Sequence, residues 1–162
     1  MIRSLLALAL LAPLFAAPAA RAEARIETGE WEQVMTVTAP EMPSASTQTV
    51  RHCITKEDAS IFTDRDRWAQ AMVKANPDAK CRIQETKQDG NALTVVLACE
   101  GDMRLDVRQE FQGTTGTIDA ETRIGGATQG KTHIVSKRVA DTCSQATIEQ
   151  WKRQNPGRPF AP

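Results

Sequence analysis

The chain has 162 residues with 20 basic and 20 acidic side chains, so its formal net charge at pH 7 is zero. This length suits one domain with a single core, and the balanced charge gives no electrostatic reason to expect binding to nucleic acid or to an anionic membrane surface. The chain has no tyrosine and only 4% aromatic residues, which argues against a surface that stacks on bases or sugars.

The first 22 residues have the pattern of a secretory signal peptide. Arg3 precedes an apolar run over residues 5–17, and the segment Ala20-Arg21-Ala22 fits a small-x-small cleavage site. Cleavage after Ala22 predicts a mature chain in the periplasm or outside the cell. The apolar run is shorter than the roughly 20 residues that a membrane span needs, so no membrane span is predicted.

The mature chain is predicted to form one domain over residues 23–154, followed by an irregular tail over residues 155–162. Alternating apolar and polar residues predict a hairpin of two strands, Trp31 to Thr38 and Thr47 to Cys53, with a polar, proline-bearing loop between them. Residues 55–76 follow as a helical section.

The helical section carries its own start signals. Thr55 with Asp58, and Thr63 with Asp66, each have the form of a capping box. Apolar residues at helical spacing predict a stripe that is buried against the rest of the domain: Ile61, Trp68, Met72 and Val73.

The middle of the chain predicts an antiparallel meander. A three-residue loop centred on Gly90 sets Cys81 opposite Cys99 and Ile83 opposite Leu97, whereas a two-residue Asp-Gly turn places the two cysteines on opposite faces. The first register therefore satisfies both the hydrophobic pattern and a disulfide, barring a bulge.

Two more turns extend the meander. A strand from Met103 to Phe111 sets Leu105 beside Leu97. The pairs predicted with the next strand, Thr117 to Ile124, are Phe111 with Ile118, Leu105 with Ile124, Asp106 with Arg123, and Arg108 with Glu121. A last strand near Lys131 to Val139 and a helix from about Ser144 to Gln154 follow, with Ala146, Ile148 and Trp151 turned inward.

The predicted fold class is α+β. It is an antiparallel meander with one apolar and one charged face, curved or closing into a small barrel, with one or two covering helices and two disulfides. If the sheet curls, its apolar face is a candidate site for a small hydrophobic ligand. The residues of that candidate site are Ile83, Leu93, Val95, Leu97, Leu105, Val107, Phe111 and Ile118.

The four cysteines lie behind the export signal, where an even set predicts disulfides rather than metal ligands or nucleophiles. The hairpin register pairs Cys81 with Cys99, which leaves Cys53 and Cys143 for each other. The second bridge closes a loop of about 90 residues, which the chain-entropy model values at roughly 4 kcal/mol.

No catalytic, metal or cofactor site is predicted. His52 and His133 are the only histidines, and neither has the spacing of a zinc site. A serine-hydrolase elbow and a phosphate loop are both missing from the sequence. The carboxylates of the outer face, such as Asp106 and Glu121, each have an arginine within reach, which is typical of a solvated, ion-paired face.

Two resemblances concern the fold. Gly29-Glu30-Trp31 is similar to the G-x-W at the first strand of lipocalins and implies a calycin-like barrel. With the Glu41-Met42-Pro43 loop, the segment from Thr49 to Asp58, and the cysteine order, nearly the whole mature chain resembles the family known only as domain of unknown function number 3617. That resemblance implies a short exported proteobacterial protein, and it implies no activity or catalytic residue.

These patterns together predict a non-enzymatic periplasmic or secreted protein that serves as a binding or envelope-accessory module. The expected partner is a small hydrophobic ligand or an envelope protein. A second hypothesis is a protein-interaction module that uses an edge strand or the 40–46 loop. A third is an unrecognised hydrolase that uses the outer-face carboxylates.

Overall fold

A computed structural model describes residues 24–161 as one long sheet with three helices. The predicted signal peptide, residues 1–22, lies outside the described residues. The strands are β1 (Arg25–Ile26), β2 (Gly29–Thr38), β3 (Ser46–Ile54), β4 (Arg82–Asp89), β5 (Ala92–Ala98), β6 (Met103–Gly113), β7 (Thr115–Ile124) and β8 (Ala127–Ala140). The helices are α1 (Lys56–Thr63), α2 (Arg65–Lys74) and α3 (Gln145–Gln154).

The strands follow the order β3-β2-β8-β7-β6-β5-β4, and every neighbouring pair in this order is antiparallel. The short β1 adds in parallel to the end of β6. Within residues 24–161 the sheet ends at β3 on one side and at β4 on the other, and these two strands do not pair. The antiparallel α+β prediction is therefore confirmed, whereas the sheet is open and not a closed calycin-like barrel.

The β4–β5–β6 registers agree with the sequence prediction around the disulfide. Ile83 pairs with Leu97, and Leu97 pairs with Leu105. A bulge at Gln84 then shifts the β4–β5 pairing by one residue, so the turn holds two residues, beginning with Gly90, instead of three. Gly90 has φ +61°, which glycine adopts freely.

The predicted β6–β7 register is wrong by two residues. Phe111 pairs with Gly116 instead of Ile118, and Asp106 pairs with Glu121 instead of Arg123. The strands turn tightly after Gly113, which has φ +62°. The Phe111 ring covers Gly116 so closely that a Cβ at that position would collide with it. A shift of two keeps every side chain on its predicted face, because side chains alternate with a period of two.

Helices α1 and α2 share one short junction. The predicted capping box of Thr55 and Asp58 is present at the start of α1. The predicted box at Thr63 is wrong, since α1 extends through Thr63 and Asp64 is the N-cap of α2, accepting bonds from the backbone N–H groups of Asp66 and Arg67.

Helix α3 is held by the N-terminal part of the sheet. Ser144 is its N-cap, and Thr147 and Trp151 are its buried residues. The inward orientation predicted for Ala146 is wrong, because Ala146 is exposed and Thr147 takes the buried position next to Glu30. The carboxylate of Glu30 also accepts the Ser144 backbone N–H at 2.6 Å, so a buried acid lies at the helix N-terminus.

Both predicted disulfides are present. Cys53 bonds to Cys143 with 5.6 Å between their Cα atoms, and Cys81 bonds to Cys99 with 3.9 Å. The first bridge joins β3 to the segment before α3, and the second closes the β4–β5 hairpin. Among the described residues, no helix is both long and apolar enough to cross a membrane.

Candidate functional site: the polar face of the sheet

The predicted ligand face is part of the hydrophobic core. Leu93, Val95 and Leu97 are 0% exposed, and Trp68 and Ala69 of α2 pack directly against them. Val107 is buried in the same cluster, with Ile83, Leu105 and Ile118 packed at its edge; Phe111 is buried beside Trp31, Ile54 and Phe62. The helices thus occupy the space that a hydrophobic ligand would need, and these eight residues serve packing.

A groove of about 450 Å³ lies on the opposite face of the sheet. It crosses five adjacent strands, from β2 through β8, β7 and β6 to β5. We call this surface the polar face and define it by two rows of paired residues. One row is Thr36, His133, Asp119, Arg108 and Thr94, and the other is Thr38, Lys131, Glu121 and Asp106.

The register explains why this face is charged. Paired residues on antiparallel strands lie on the same side of the sheet, so each row continues from strand to strand. The row positions alternate with the core positions: Val107 points into the core between Asp106 and Arg108. The polar face therefore consists of the residues that lie between the core residues along each strand.

Asp106 and Glu121 lie opposite each other, and two arginines compensate this like-charge pair. Arg104 binds Asp106 with both Nε and Nη2, at 2.9 and 2.7 Å. Arg123 contacts Glu121 at 2.9 Å and Asp106 at 3.4 Å. The hydroxyl of Thr128 donates to Glu121 at 2.6 Å, and this bond, together with Arg123, lowers the pKa of the Glu121 carboxyl. The lowered pKa keeps the Glu121 carboxyl ionised at neutral pH, and the Asp106 carboxylate contacts both guanidinium groups.

The other row has its own pairs. His133 Nδ1 lies 2.7 Å from an Asp119 carboxylate oxygen. Arg108 reaches Glu110 at 3.1 Å, and the Asn91 amide donates to the same carboxylate. Lys131, in contrast, is exposed and has no ion pair among the described residues. The groove thus offers hydroxyl groups, an imidazole and the exposed ammonium group of Lys131, which lies beside Glu121 without a direct ion pair, to a ligand.

A second depression of about 290 Å³ continues the polar face along the strands. It is lined by Glu110, Thr117 and Val135, which form the next row of paired residues beside His133 and Asp119, and by Lys137 beyond them. Val135 is 47% exposed, so this part of the surface also offers a small apolar contact.

His52 and the cysteines lie away from the groove. His52 lines a separate cavity of about 170 Å³ between β3 and α3, and its Nδ1 has no hydrogen-bond partner among the described residues. Burial lowers the pKa of this imidazole. The four cysteines form two disulfides. Residues 24–161 contain no cluster of side chains suited to a metal ion.

The sequence prediction missed most of the groove. It singled out Asp106 and Glu121 as outer-face acids, but not Thr36, Thr94 or Lys131. Polar and apolar residues alternate along β2 and β8, and this alternation could have assigned the polar positions to the face that points away from the core. The pairing of β8 with β2, which brings the two strands together, is a contact between distant segments.

A family model described as "Protein of unknown function (DUF3617)" matches residues 26–143, which is more than half of the chain. No curated protein matches the chain.

Proposed function

We propose that this protein, which belongs to the DUF3617 family, is an exported, non-enzymatic binding module that takes a small polar ligand in the groove of its polar face. The observation that carries the proposal is the groove itself. Its volume of about 450 Å³ falls within the roughly 300–1,000 Å³ of known ligand sites. It is also built on five paired strands, which hold their side chains more rigidly than loops do.

Export is supported by the cysteines. Both pairs are bonded as disulfides, and such bonds persist in oxidising compartments such as the periplasm. The pattern of residues 1–22 agrees with this compartment.

The charges of the groove favour a ligand rich in acceptor oxygens. The acids Asp106, Asp119 and Glu121 each have a cationic or imidazole partner within the protein. The ammonium group of Lys131 and the hydroxyl group of Thr94 line the groove and can donate, whereas the Thr36 hydroxyl lies 3.4 Å from the Thr47 hydroxyl. Carboxylate, hydroxyl or carbonyl oxygens of a small metabolite meet these donors.

The same charges favour binding over catalysis. A general acid at neutral pH needs a raised pKa, whereas the pKa of Glu121 is lowered by its partners. The four cysteines are disulfide-bonded and therefore supply no nucleophilic thiolate. We therefore expect the wild type to show no measurable activity in a broad hydrolase screen. Asp106→Ala and Glu121→Ala should give the same result as the wild type.

Native mass spectrometry of the protein purified from the periplasm tests the proposal. We expect a bound mass on the wild type. Thr36→Trp fills the groove and should remove that mass. Val34→Trp is the matched control, because Val34 lies two residues away on the same face of β2 and lines neither depression. A wild type without any bound mass, or a Thr36→Trp protein that retains it, contradicts the proposal.

A further inference from the structure

A second large groove lies among the helices. Its volume is about 960 Å³, and it is lined by α1, by α2 and by the C-terminal end of α3 with the residues that follow it. It shares no residue with the groove of the polar face. Four residues of α2 line it at helical spacing: Arg67, Gln70, Ala71 and Lys74. We call this surface the helical groove.

The helical groove has an apolar strip. Unlike Trp68, which belongs to the same predicted stripe, Ile61 is half-buried and belongs to neither core cluster; it lines the helical groove instead. Ala71 and Ala75 line the groove from α2, one helical turn apart. Because their side chains are small, another helix can approach α2 closely at this point.

The acids of the helical groove are neutralised within the chain. Glu57 lies 2.9 Å from the Arg158 guanidinium, and Asp66 lies 2.9 Å from the Arg65 guanidinium. These two acids are therefore balanced by their own arginines.

Two cations of the helical groove have no ion pair among residues 24–161, namely Arg67 and Lys74. Both are exposed, and the Arg67 guanidinium donates to the uncharged Ser60 hydroxyl at 2.8 Å. The charge that the groove offers to another molecule is therefore positive.

We propose that the helical groove binds an acidic amphipathic helix of a partner protein. Arg67 and Lys74 are seven residues apart on one side of α2, which separates them by about 10 Å along the helix axis. Two acidic residues seven positions apart on a helix aligned with α2 have the same separation. The apolar residues between those acids then meet Ile61 and Ala71, as in other helix-in-groove complexes.

The shape of the helical groove favours a helix over an anionic bilayer. Ile61 and Ala71 are less exposed than Arg67 and Lys74, so a flat surface could contact the cations but would not reach the apolar strip. The side chains of a helix project into such a groove and meet both.

Selection from a phage-displayed library of helical peptides, about 18 residues or five turns long, tests the proposal with the mature protein as bait. We expect the enriched peptides to carry two acidic residues seven positions apart with apolar residues between them. The double variant Arg67→Glu/Lys74→Glu should weaken their binding about tenfold in fluorescence polarisation, because each attraction becomes a repulsion. The double variant Arg82→Glu/Lys87→Glu makes the same change of charge at exposed positions of β4 and should bind like the wild type. Circular dichroism checks that each variant is folded.

Reversal of the charges on both partners provides the decisive comparison. An enriched peptide whose two acids are replaced by lysine should bind Arg67→Glu/Lys74→Glu better than it binds the wild type. The proposal is overturned if no peptide is enriched, if the enriched peptides lack the acidic pair, or if they bind the charge-reversed protein as well as the wild type. Binding to phosphatidylglycerol vesicles that only the charge-reversed protein loses, without any enriched peptide, would assign the site to a lipid and also overturn it.

Discussion

Replacing Glu30 by glutamine should show how the first long strand stabilises the last helix. The Glu30 side chain is 7% exposed, and one of its carboxylate oxygens accepts the Ser144 backbone N–H at 2.6 Å and the Thr147 hydroxyl at 3.3 Å. The amide of Glu30→Gln keeps the shape and one acceptor oxygen but removes the charge at the N-terminus of α3.

The size of the effect follows from these contacts. A hydrogen bond to a charged group contributes about 1.5–3 kcal/mol, against about 1 kcal/mol for a neutral one. The favourable position of the charge at a helix N-terminus adds about 0.3–1 kcal/mol. Glu30→Gln should therefore lower the free energy of unfolding by about 2 kcal/mol at neutral pH. Glu32→Gln, which loses only an exposed pair with Arg51, should cost less than about 1 kcal/mol.

The pH dependence distinguishes a charge effect from a packing effect. The hydrogen bond from Ser144 is the main reason why the pKa of Glu30 lies below its ordinary value of 4.5. The stabilisation is therefore complete above that value and is lost as the pH falls further, through the pKa of the folded state. In urea unfolding followed by tryptophan fluorescence, the gap between wild type and Glu30→Gln should shrink as the pH drops below about 4.5. Equal stabilities at neutral pH, or a gap that persists in acid, would contradict a stabilising charge of Glu30 at the N-terminus of α3.

Three further substitutions test the core and the buried histidine. The wild type should lose stability between about pH 7.5 and 5.5, because the lowered pKa of buried His52 makes the unfolded chain bind a proton more tightly than the folded one, and His52→Gln should reduce this loss. Urea midpoints at the two pH values measure the loss, and an equal change of midpoint in both proteins would contradict the prediction. Trp68→Ala should cost about 3–5 kcal/mol in urea unfolding, since Trp68 is 2% exposed against the sheet, and a loss below about 1 kcal/mol would mean that α2 does not fill the apolar face. Gly116→Ala should lower the melting temperature by displacing the Phe111 ring at a cost of about 1–3 kcal/mol, whereas Gly130→Ala, with its nearest neighbour at 3.4 Å, is the milder control; equal effects would argue against the observed β6–β7 register.

The sequence could predict faces better than registers. The assignment of Val95, Leu97, Leu105 and Val107 to one face is correct, because a period of two is visible within each strand. The β6–β7 register was wrong because it depends on how Phe111 covers Gly116, a contact that appears only when the strands are paired. The disulfide between Cys81 and Cys99 was predictable because a short hairpin connects them.

The candidate site was less predictable. The apolar face looked available for a ligand because the helical stripe that contains Trp68 was predicted to be buried, but the sequence does not tell that it covers Leu93, Val95 and Leu97. The groove also depends on the pairing of β2 with β8, in which Thr36 meets His133 across nearly a hundred residues of chain. Such a contact leaves no local pattern in one sequence.

We propose that the ligand binds on the polar face of the sheet and not on the apolar face. Amide chemical shifts in 15N NMR spectra, recorded while the small-molecule fraction of a periplasmic extract is added, test it most directly. We expect shifts at Thr36, Thr94, Asp119 and Lys131, which line the groove, and unchanged signals at the core residue Leu97. Shifts confined to the core strands and α2, with the groove residues unmoved, would contradict it.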